Sequence, residues 1–585
     1  MFWSLIFLAA TAAAAAIDTP SCRCTPSQPC WPSDQKWQTL NESVSGHLIT
    51  VRPVAWPCHD PTLDPERCQA LSAFKIYSSW RREQPGALQY PNWEALPSAN
   101  QSCYFDTDPS VPCGQGRISE YSVVAETVED IQAAVRFARD HGLRLVVKNT
   151  GHDFLGRSAA PHSLQIATYK MRGISFSENF VPKGAPRQNQ GVGSTVTIQA
   201  GAVLNEIYQA VQKKGKMAVL GGAHTVGAAG GYIQGGGHSP IGAWKGMASD
   251  NAVEFEVITA DGERVIANQY QHRDLFWALR GGGGGTFGIV TRVTLRTFDE
   301  KPAVAVNMTV AMPWSPNSSY WDIVAEFSSQ VPRLNDELCS GYLFMLPKDE
   351  ANGLNISVLQ GTIACLDQST AKPVDQLFDS ILAPIRSHPG VTVLYNATAY
   401  PTTYGALNSL IMLGAESDIT GGPVILGSRL ISRDFLRSSD GSKQFAHTLS
   451  QLPMDNGAAI LAHLIAGGQV QKNAHIESAL NPVWRKTGLH IVWTRSWTPR
   501  ASEKEIHAVK QQVSREVEVF RALEPEMGAY LNEAYPYEED FQRSFWGENY
   551  GRLYAIKQTV DPRGLFIARK GVGSEDWDEE GFCRV

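Results

Sequence analysis

Three glycine-rich segments, each beside a strand-like run, constrain this chain more than any other feature. The first is Lys148-Asn149-Thr150-Gly151-His152-Asp153-Phe154-Leu155-Gly156-Arg157-Ser158. The second runs from Gly221 to Gly242 and holds nine glycines in 22 residues. The third is Arg280, then Gly281 to Gly285, then Thr286-Phe287-Gly288. Without a Cβ, a backbone can approach a ligand closely, and successive amides form concave nests suited to a pyrophosphate. Glycine also serves ordinary tight turns, but three such segments within about 140 residues favour a phosphate-bearing cofactor. The third segment contains GxGxxG at Gly283, Gly285 and Gly288. The dinucleotide fingerprint needs a strand before and a helix after. Here a helix-like run, Asp274 to Leu279, precedes, and the β-branched Ile289-Val290-Thr291 follows. No GxxxxGK[ST] occurs, so a P-loop is also excluded.

The surrounding periodicity predicts alternating strands and helices. Ser122 to Val124 reads as a strand. Thr127 stands as N-cap with Asp130 in the first turn of a helix, Val128, Ile131, Val135 and Ala138 share its apolar face, and Gly142 takes the C-cap position. Leu143 to Val147 is the next strand. Thr195 to Gln199, a helix through Leu204, Ile207, Tyr208 and Val211, and Met217 to Leu220 repeat the pattern, so two β-α-β passes are expected. Val253 to Thr259 and Arg264 to Ala267 flank Asp261-Gly262, a type I′ hairpin signal. Ile289 to Phe298 is a further strand. Beyond residue 300, strand-like runs (303–310, 341–346, 356–360, 460–464, 489–493) alternate with helical ones (321–330, 374–382, 503–522). The first part reads as an α+β or α/β domain and the second as a further α+β domain with a sheet.

Charge and cysteine usage narrow the function classes. Lys plus Arg number 51 and Asp plus Glu 58, a net charge of −7, and no basic block exists, so nucleic acid is not an expected partner. Residues 1–16 are apolar and end in Ala14-Ala15-Ala16. This suits a cleaved secretory signal, with the mature chain starting near Ile17; the rival is a membrane anchor, and the run is short for a span of about 20 residues. Ten cysteines fall at 22, 24, 30, 58, 68, 103, 113, 339, 365 and 583. An even count in a secreted chain reads as disulfides, with Cys58–Cys68, Cys103–Cys113 and Cys339–Cys365 plausible by proximity. A metal site at Cys22, Cys24 and Cys30 lacks a matching second half. Sequons at Asn41, Asn100, Asn307, Asn317, Asn355 and Asn396 fit the secretory route.

Taken together, the segments resemble the vanillyl-alcohol-oxidase superfamily, and specifically its berberine-bridge-enzyme-like FAD-linked oxidoreductases. The Gly-His loop, the Thr-Val-Gly loop and the Gly-Gly-x-x-Phe-Gly strand stand in the family order. The C-terminal segment matches as well: Tyr530-Leu531-Asn532, Phe545-Trp546-Gly547-Glu548-Asn549-Tyr550, and Asp561-Pro562-Arg563-Gly564-Leu565-Phe566. Gly221 to His238 looks like the fungal secreted branch, which includes isoamyl-alcohol-oxidase-like proteins. The resemblance makes the expected fold class α+β, a two-part cofactor domain plus a substrate domain with an antiparallel sheet and helices. It implies a division into signal (1–16), Cys/Pro-rich segment (17–116), FAD domain of the PCMH type (117–299), substrate domain (300–525), berberine-bridge-like segment returning to the FAD domain (526–573) and tail (574–585).

The resemblance also assigns roles. It implies FAD bonded covalently to His152, which draws electrons from the flavin and makes it more oxidising. The family's second, cysteinyl link falls on Ala223, so a single tether is expected. Asn149, Gly151, Asp153, Gly156, Arg157 and Ser158 would wrap the diphosphate. Gly221, Gly222, Thr225, Gly227, Gly231, Gly235, Gly236 and Gly237 would line the pyrophosphate and ring, Ile289 the adenine side, and Asn532 and Asn549 would return from the C-terminus. His490, Tyr530 and Tyr550 are the candidate catalytic bases. A three-histidine metal site from His152, His224 and His238 is the rival use of those imidazoles, and no metal is expected. In relatives a side chain after Thr-Val-Gly gates oxygen; Ala228 and Ala229 are small, so an open path is implied. The activity expected is that of a secreted, monomeric oxidase passing hydride from an alcohol or related small molecule to FAD and electrons to oxygen. An oxidative cyclisation or dehydrogenation in secondary metabolism is the alternative, and a non-catalytic carbohydrate-binding protein a second.

Overall fold

The computed structural model describes residues 22–186, 191–316, 318–413, 415, 417–454 and 458–585. The expected signal peptide, the start at Ile17 and the Asn317 sequon lie outside them. Among the described residues no helix is long and apolar enough to cross a membrane.

Among the described residues the cofactor half holds a four-stranded sheet, a five-stranded sheet and a two-stranded ribbon, and the substrate half one seven-stranded sheet, an α+β arrangement. In the first sheet, Tyr121–Val124, Ser163–Ala167 and Arg144–Lys148 run parallel, and Leu48–Thr50 pairs antiparallel to Tyr121–Val124. The helix Val128–Asp140 crosses between the first and last of the parallel strands. It begins at a capping box in which Thr127 and Asp130 satisfy each other's end of the turn, and Gly142 follows it at φ +60°. Its apolar face, with Ile131, Ala134 and Val135, joins Val123, Leu145 and Leu164 in one core, together with Trp37 and Leu40 from the Pro/Cys-rich segment. That segment therefore contributes a strand and core side chains to the cofactor half.

The second sheet is wholly antiparallel, in the order Ile174–Ser177, Thr195–Gln199, Ile289–Arg296, Ala252–Ile258, Arg264–Asn268. Two expectations are corrected here. The helix Leu204–Gln212 does lead to a strand, but Lys216–Met217 pairs with Phe298–Asp299 and not with Thr195–Gln199, so the second β-α-β pass is not a unit of one sheet. The hairpin at Asp261-Gly262 forms, but only Gly262 has positive φ (+77°). A type I′ turn needs both central residues there. Instead Thr259 N–H donates to Glu263 O and Gly262 N–H to Thr259 O, closing a three-residue loop.

The substrate half is a seven-stranded antiparallel sheet ordered Thr392–Tyr400, Ala303–Pro313, Leu354–Leu366, Cys339–Ala351, Ile460–Leu464, Thr487–Ser496, Val424–Ser432. Period-two alternation divides its side chains. Leu343, Met345, Ile460, Ala462, Leu489, Ile491 and Trp493 face a helical layer made by Tyr320–Asp336, Lys372–Arg386, Ser439–Ser450 and Glu503–Leu523. Tyr342, Leu461, His463 and Val492 point the other way, toward the cofactor half. All ten cysteines pair: Cys22–Cys583, Cys24–Cys30, Cys58–Cys68, Cys103–Cys113 and Cys339–Cys365. The first ties the two ends of the described chain together.

Candidate active site

The three glycine segments converge on a narrow cleft. Asn149, Gly151, Asp153, Arg157, Ser158, Gly227, Gly231, Gly285 and Ile289 line it, with Thr150, Thr168, Gln234, Gly284, Gly288 and Val290 added by the structure. The loops touch so closely that only glycine fits: a Cβ on Gly227 would stand 1.6 Å from Asn149 Oδ1. Gly285 takes φ +73°, with no heavy atom within 4 Å of an added Cβ, so its backbone faces open space. Asp153 shapes the first loop by accepting the amides of Leu155 (3.1 Å), Ser158 (2.7 Å) and Arg157. Asn149 Oδ1 and Gln234 Oε1 are buried there without a hydrogen-bond partner in the protein, and such groups call for one. A glycine-walled slot with unpaired polar atoms fits the diphosphate and nucleoside portions of FAD.

The cleft opens into a cavity of about 910 Å³ between the two halves, and His152, Arg157, Val226, Gly231 and Tyr232 belong to both. His152 therefore stands at the junction. Its proton is placed by a chain of hydrogen bonds. Asp418 Oδ2 accepts Thr225 Oγ1 at 2.9 Å, and Thr225 Oγ1 lies 2.7 Å from His152 Nε2. A carboxylate only accepts, so the threonine hydroxyl, which also lies 2.7 Å from Ser78 Oγ, turns its one hydrogen away from the imidazole toward Asp418 and accepts from His152. His152 thus carries its proton on Nε2 and leaves Nδ1 with a lone pair. Burial pulls the His152 pKa down to about 4, which keeps the ring neutral. Asp418 is anchored by the amides of His224 (3.1 Å) and Thr225 (3.0 Å) and by His224 Nδ1 (2.9 Å). Burial pushes its carboxyl up, but the His224 bond and the other donors outweigh this and hold it far below the usual range.

The far wall of the cavity is polar. His463 and His490 are direct cross-strand partners, as are Tyr342 and His463. Both face His238 of the second loop and Glu533 of the C-terminal return. His238 Nε2 lies 3.0 Å from Glu533 Oε1, and the Nδ1 atoms of His463 and His490 lie 3.2 Å apart. Burial holds both of these imidazoles well below the ordinary histidine range, hence neutral. Burial alone would raise Glu533; the charge and hydrogen bond of His238 outweigh it and hold the carboxyl below its usual range. Tyr530 is fully buried beside them, its ring 5.3 Å from that of His238. Asn532 Nδ2 donates to Tyr530 Oη (2.8 Å) and Gly231 O (2.9 Å), and its Oδ1 accepts from Arg157 (3.2 Å), so the C-terminal return is tied to both loops.

The expected residues thus divide. Gly221 and Gly222 line the cavity with Ala223, and Thr225 acts on His152. Gly156, Gly235, Gly236, Gly237 and Asn549 stand off both compartments. Gly156 packs under Trp93, Gly235 under Asn532, and Gly237 under Tyr232, where a Cβ would stand 2.4, 2.5 and 3.0 Å from the side chain. Gly236 abuts Leu480. Asn549 donates to Ser478 O (3.5 Å) and Leu480 O (2.9 Å), a loop brace. Of the three candidate bases, Tyr530 is on the cavity wall and His490 sits one layer behind it. Tyr550 is not there: its hydroxyl bonds Glu575 and its ring packs on Trp546. His224 is taken by Asp418 and His152 by Thr225, so the rival His152–His224–His238 grouping does not assemble. Ala228 is fully buried in the core and Ala229 lines the cleft; of the four residues Val226 to Ala229, Val226 is the one that reaches the cavity. Sequence reading missed Asp418, His463 and Glu533. Glu533 directly follows the Tyr530-Leu531-Asn532 motif, and His463 interrupts the apolar Ile460–Leu464 strand on its odd face. Asp418 carries no motif.

The geometry agrees with comparisons to known proteins. A family profile described as FAD binding domain matches residues 119–268, and one described as berberine and berberine like matches 529–573. The chain is 48% identical over 582 residues to an FAD-linked oxidoreductase of Arthroderma benhamiae, covering 99% of this chain and 98% of that one. It is 39% identical to the FAD-linked oxidoreductase malF of Malbranchea aurantiaca, covering 96% and 94%. Among solved structures, the VAO-type flavoprotein MtVAO615 of Myceliophthora thermophila superposes with TM-score 0.85 at 30% identity, covering 97% of this chain and all of that one. The cleft, the junction histidine and these likenesses agree: the chain belongs to the berberine-bridge-like, vanillyl-alcohol-oxidase-type flavoproteins and is an FAD-dependent oxidoreductase.

Proposed function

We propose that this is a secreted oxidase that holds FAD covalently through His152 alone and oxidises a bulky, largely apolar alcohol or related small molecule, with oxygen as the final acceptor. When bound, FAD supplies the hydride acceptor. The protein's own part is positional. The cleft would hold the diphosphate, and Asp418 and Thr225 keep the His152 Nδ1 lone pair facing the junction. The cavity supports the substrate reading: Phe154, Leu204, Phe344, Leu461 and Val492 give it apolar walls, and the His238–Glu533 pair among its polar lining offers a partner for the polar group of a substrate. Removing hydride from an alcohol also requires removing its hydroxyl proton. Glu533, held ionised and hydrogen-bonded to His238, is a proton acceptor on the cavity wall. The single observation that carries the reading is the meeting of cleft and cavity at His152, opposite that pair. Secretion is supported by the pairing of all ten cysteines.

The test is anaerobic mixing with a panel of alcohols, followed by admission of oxygen. Flavin bleaching by at least one apolar alcohol and rapid reoxidation with stoichiometric peroxide is the expected result. Bleaching without reoxidation by oxygen would make the protein a dehydrogenase and defeat the oxidase reading.

A further inference from the structure

The histidines of the cavity wall pose a question that proton transfer does not answer. One acceptor pair suffices for an alcohol, yet two more imidazoles, His463 and His490, are buried beside it. Their Nδ1 atoms face each other at 3.2 Å. Two neutral rings so placed can share only one hydrogen between them, and Glu533 Oε2 lies 3.5 Å from His490 Nδ1 and 3.7 Å from His463 Nδ1. With His238, one nitrogen or oxygen from each residue falls within 4.8 Å of every other.

We propose that His238, His463, His490 and Glu533 form a tetrahedral site for a borderline divalent cation, of which Zn²⁺ is the type. Zinc binds imidazole nitrogen and carboxylate oxygen at about 2.0–2.2 Å, so the edges of its ligand tetrahedron are about 3.3–3.5 Å. Four approaches here are 3.0 Å (His238 to Glu533 Oε1), 3.2 Å (His463 to His490), and 3.5 and 3.7 Å (His490 and His463 to Glu533 Oε2), and the remaining pairs lie within 4.8 Å, distances that small side-chain rotations bring to a tetrahedron. The donor set is three neutral-type nitrogens and one ionised oxygen, a combination that suits zinc over calcium or magnesium. The outer nitrogens, His238 Nδ1, His463 Nε2 and His490 Nε2, have no hydrogen-bond partner in the protein. In the metal-free protein two hydrogens point inward: His238 Nε2–H donates to Glu533, and one is shared between the Nδ1 atoms of His463 and His490. Because the outer nitrogens are unpartnered, each ring can carry its hydrogen there instead, and a cation would replace both inward hydrogens with a bond to every ligand at once.

Such a site joins three parts of the chain: the second glycine loop through His238, the substrate sheet through His463 and His490, and the C-terminal return through Glu533. With four protein ligands it is closed, as in structural zinc sites, and it staples the cofactor half to the substrate half. A consequence for turnover rests on the oxidase reading above. The ion would occupy the lone pairs of the proton-accepting pair, so loaded enzyme should reduce its flavin at least tenfold more slowly. Unchanged reduction on loading would refute that proton acceptor and leave the metal count intact.

The experiment treats purified holoprotein with chelator, adds ZnSO4, removes excess ion by gel filtration and counts zinc per chain by mass spectrometry. All ten cysteines are paired, so no thiolate competes. Wild type should retain about one zinc. His463→Gln and Glu533→Gln should each retain less than about 0.2, whereas the exposed His475→Gln should match wild type. Flavin absorbance and melting temperature establish that each variant is folded; Glu533→Gln, which conserves shape at the cavity wall, decides the matter if His463→Gln does not fold. Less than about 0.2 zinc on wild type would overturn the proposal, as would full loading of Glu533→Gln.

Discussion

Replacing Asp418 by Asn tests the proton chain at the junction. The carboxylate accepts four hydrogen bonds, from the His224 and Thr225 amides, His224 Nδ1 and Thr225 Oγ1. An asparagine offers one oxygen and one NH2 group in the same space. If the NH2 faces Thr225, the hydroxyl becomes an acceptor from it and its hydrogen is released to His152 Nε2 or to Ser78 Oγ (2.7 Å); the share that turns to His152 moves the imidazole hydrogen to Nδ1 and removes the reactive lone pair. A hydrogen bond to a charged group contributes about 1.5–3 kcal/mol, and about 1.4 kcal/mol is a factor of ten in population. The Nδ1-reactive tautomer should therefore fall by about ten- to a hundredfold, and the rate of covalent FAD attachment with it. The assay incubates flavin-free protein with FAD, precipitates with acid at intervals and reads flavin in the pellet. Thr225→Val should also slow attachment, since it removes the relay between the two residues. FAD should still bind non-covalently to Asp418→Asn through the unaltered cleft. A folded Asp418→Asn that attaches FAD within twofold of the wild-type rate would refute the relay.

The remaining predictions concern chemistry, pH and oxygen. Glu533→Gln should bind and link FAD normally but slow anaerobic flavin reduction by about 10²–10⁴, the usual contribution of a placed proton acceptor; stopped-flow absorbance reads it. Flavin-free protein should lose stability as pH falls from about 6.5 toward about 4, because the unfolded chain protonates His152 and the folded one, with its pKa near 4, does not. His152→Gln should flatten that slope in denaturant titrations at several pH values, and an unchanged slope would contradict the buried, neutral ring. Val226→Leu, at the meeting of cleft and cavity, should slow reoxidation by oxygen more than reduction by substrate. Ala228→Leu, in a fully buried core position, should instead cost about 1–3 kcal/mol by overpacking, read as a lower melting temperature.

The cofactor half was legible because its physics is local. Glycines that must contact a neighbouring loop leave a composition signal, and Thr127, Asp130 and Gly142 mark helix ends by capping chemistry within a few residues. Strand existence beyond residue 300 was also legible from alternation, and Ile460–Leu464 matches its expected span. Thr392–Tyr400 and Val424–Ser432 were not foreseen. The first is an edge strand that alternates in burial, but its exposed Leu394 breaks the apolar pattern, and the second is almost entirely buried and shows no period of two. The second β-α-β pass failed because periodicity reports an element and not its partner. The far wall is non-local in the same way: His238, His463, His490 and Glu533 span almost 300 residues of sequence and meet only through sheet register and the return of the C-terminal segment. Asp418 lies in the sequence between a second acid, Glu416, and ordinary turn residues, Gly421-Gly422-Pro423, so nothing in the sequence singles it out. The sequence motif at Phe545 to Tyr550, by contrast, builds packing around Trp546 and Asn549 rather than the reaction site.

The central claim is that His152 joins the cleft to the cavity as the sole covalent anchor of FAD, and peptide mass spectrometry of proteolysed, acid-precipitated protein tests it most directly. The account predicts a yellow pellet and one flavin-bearing peptide, with the adduct on His152 and none on any peptide containing Ala223. Flavin lost to the supernatant, or an adduct on another residue, would contradict it.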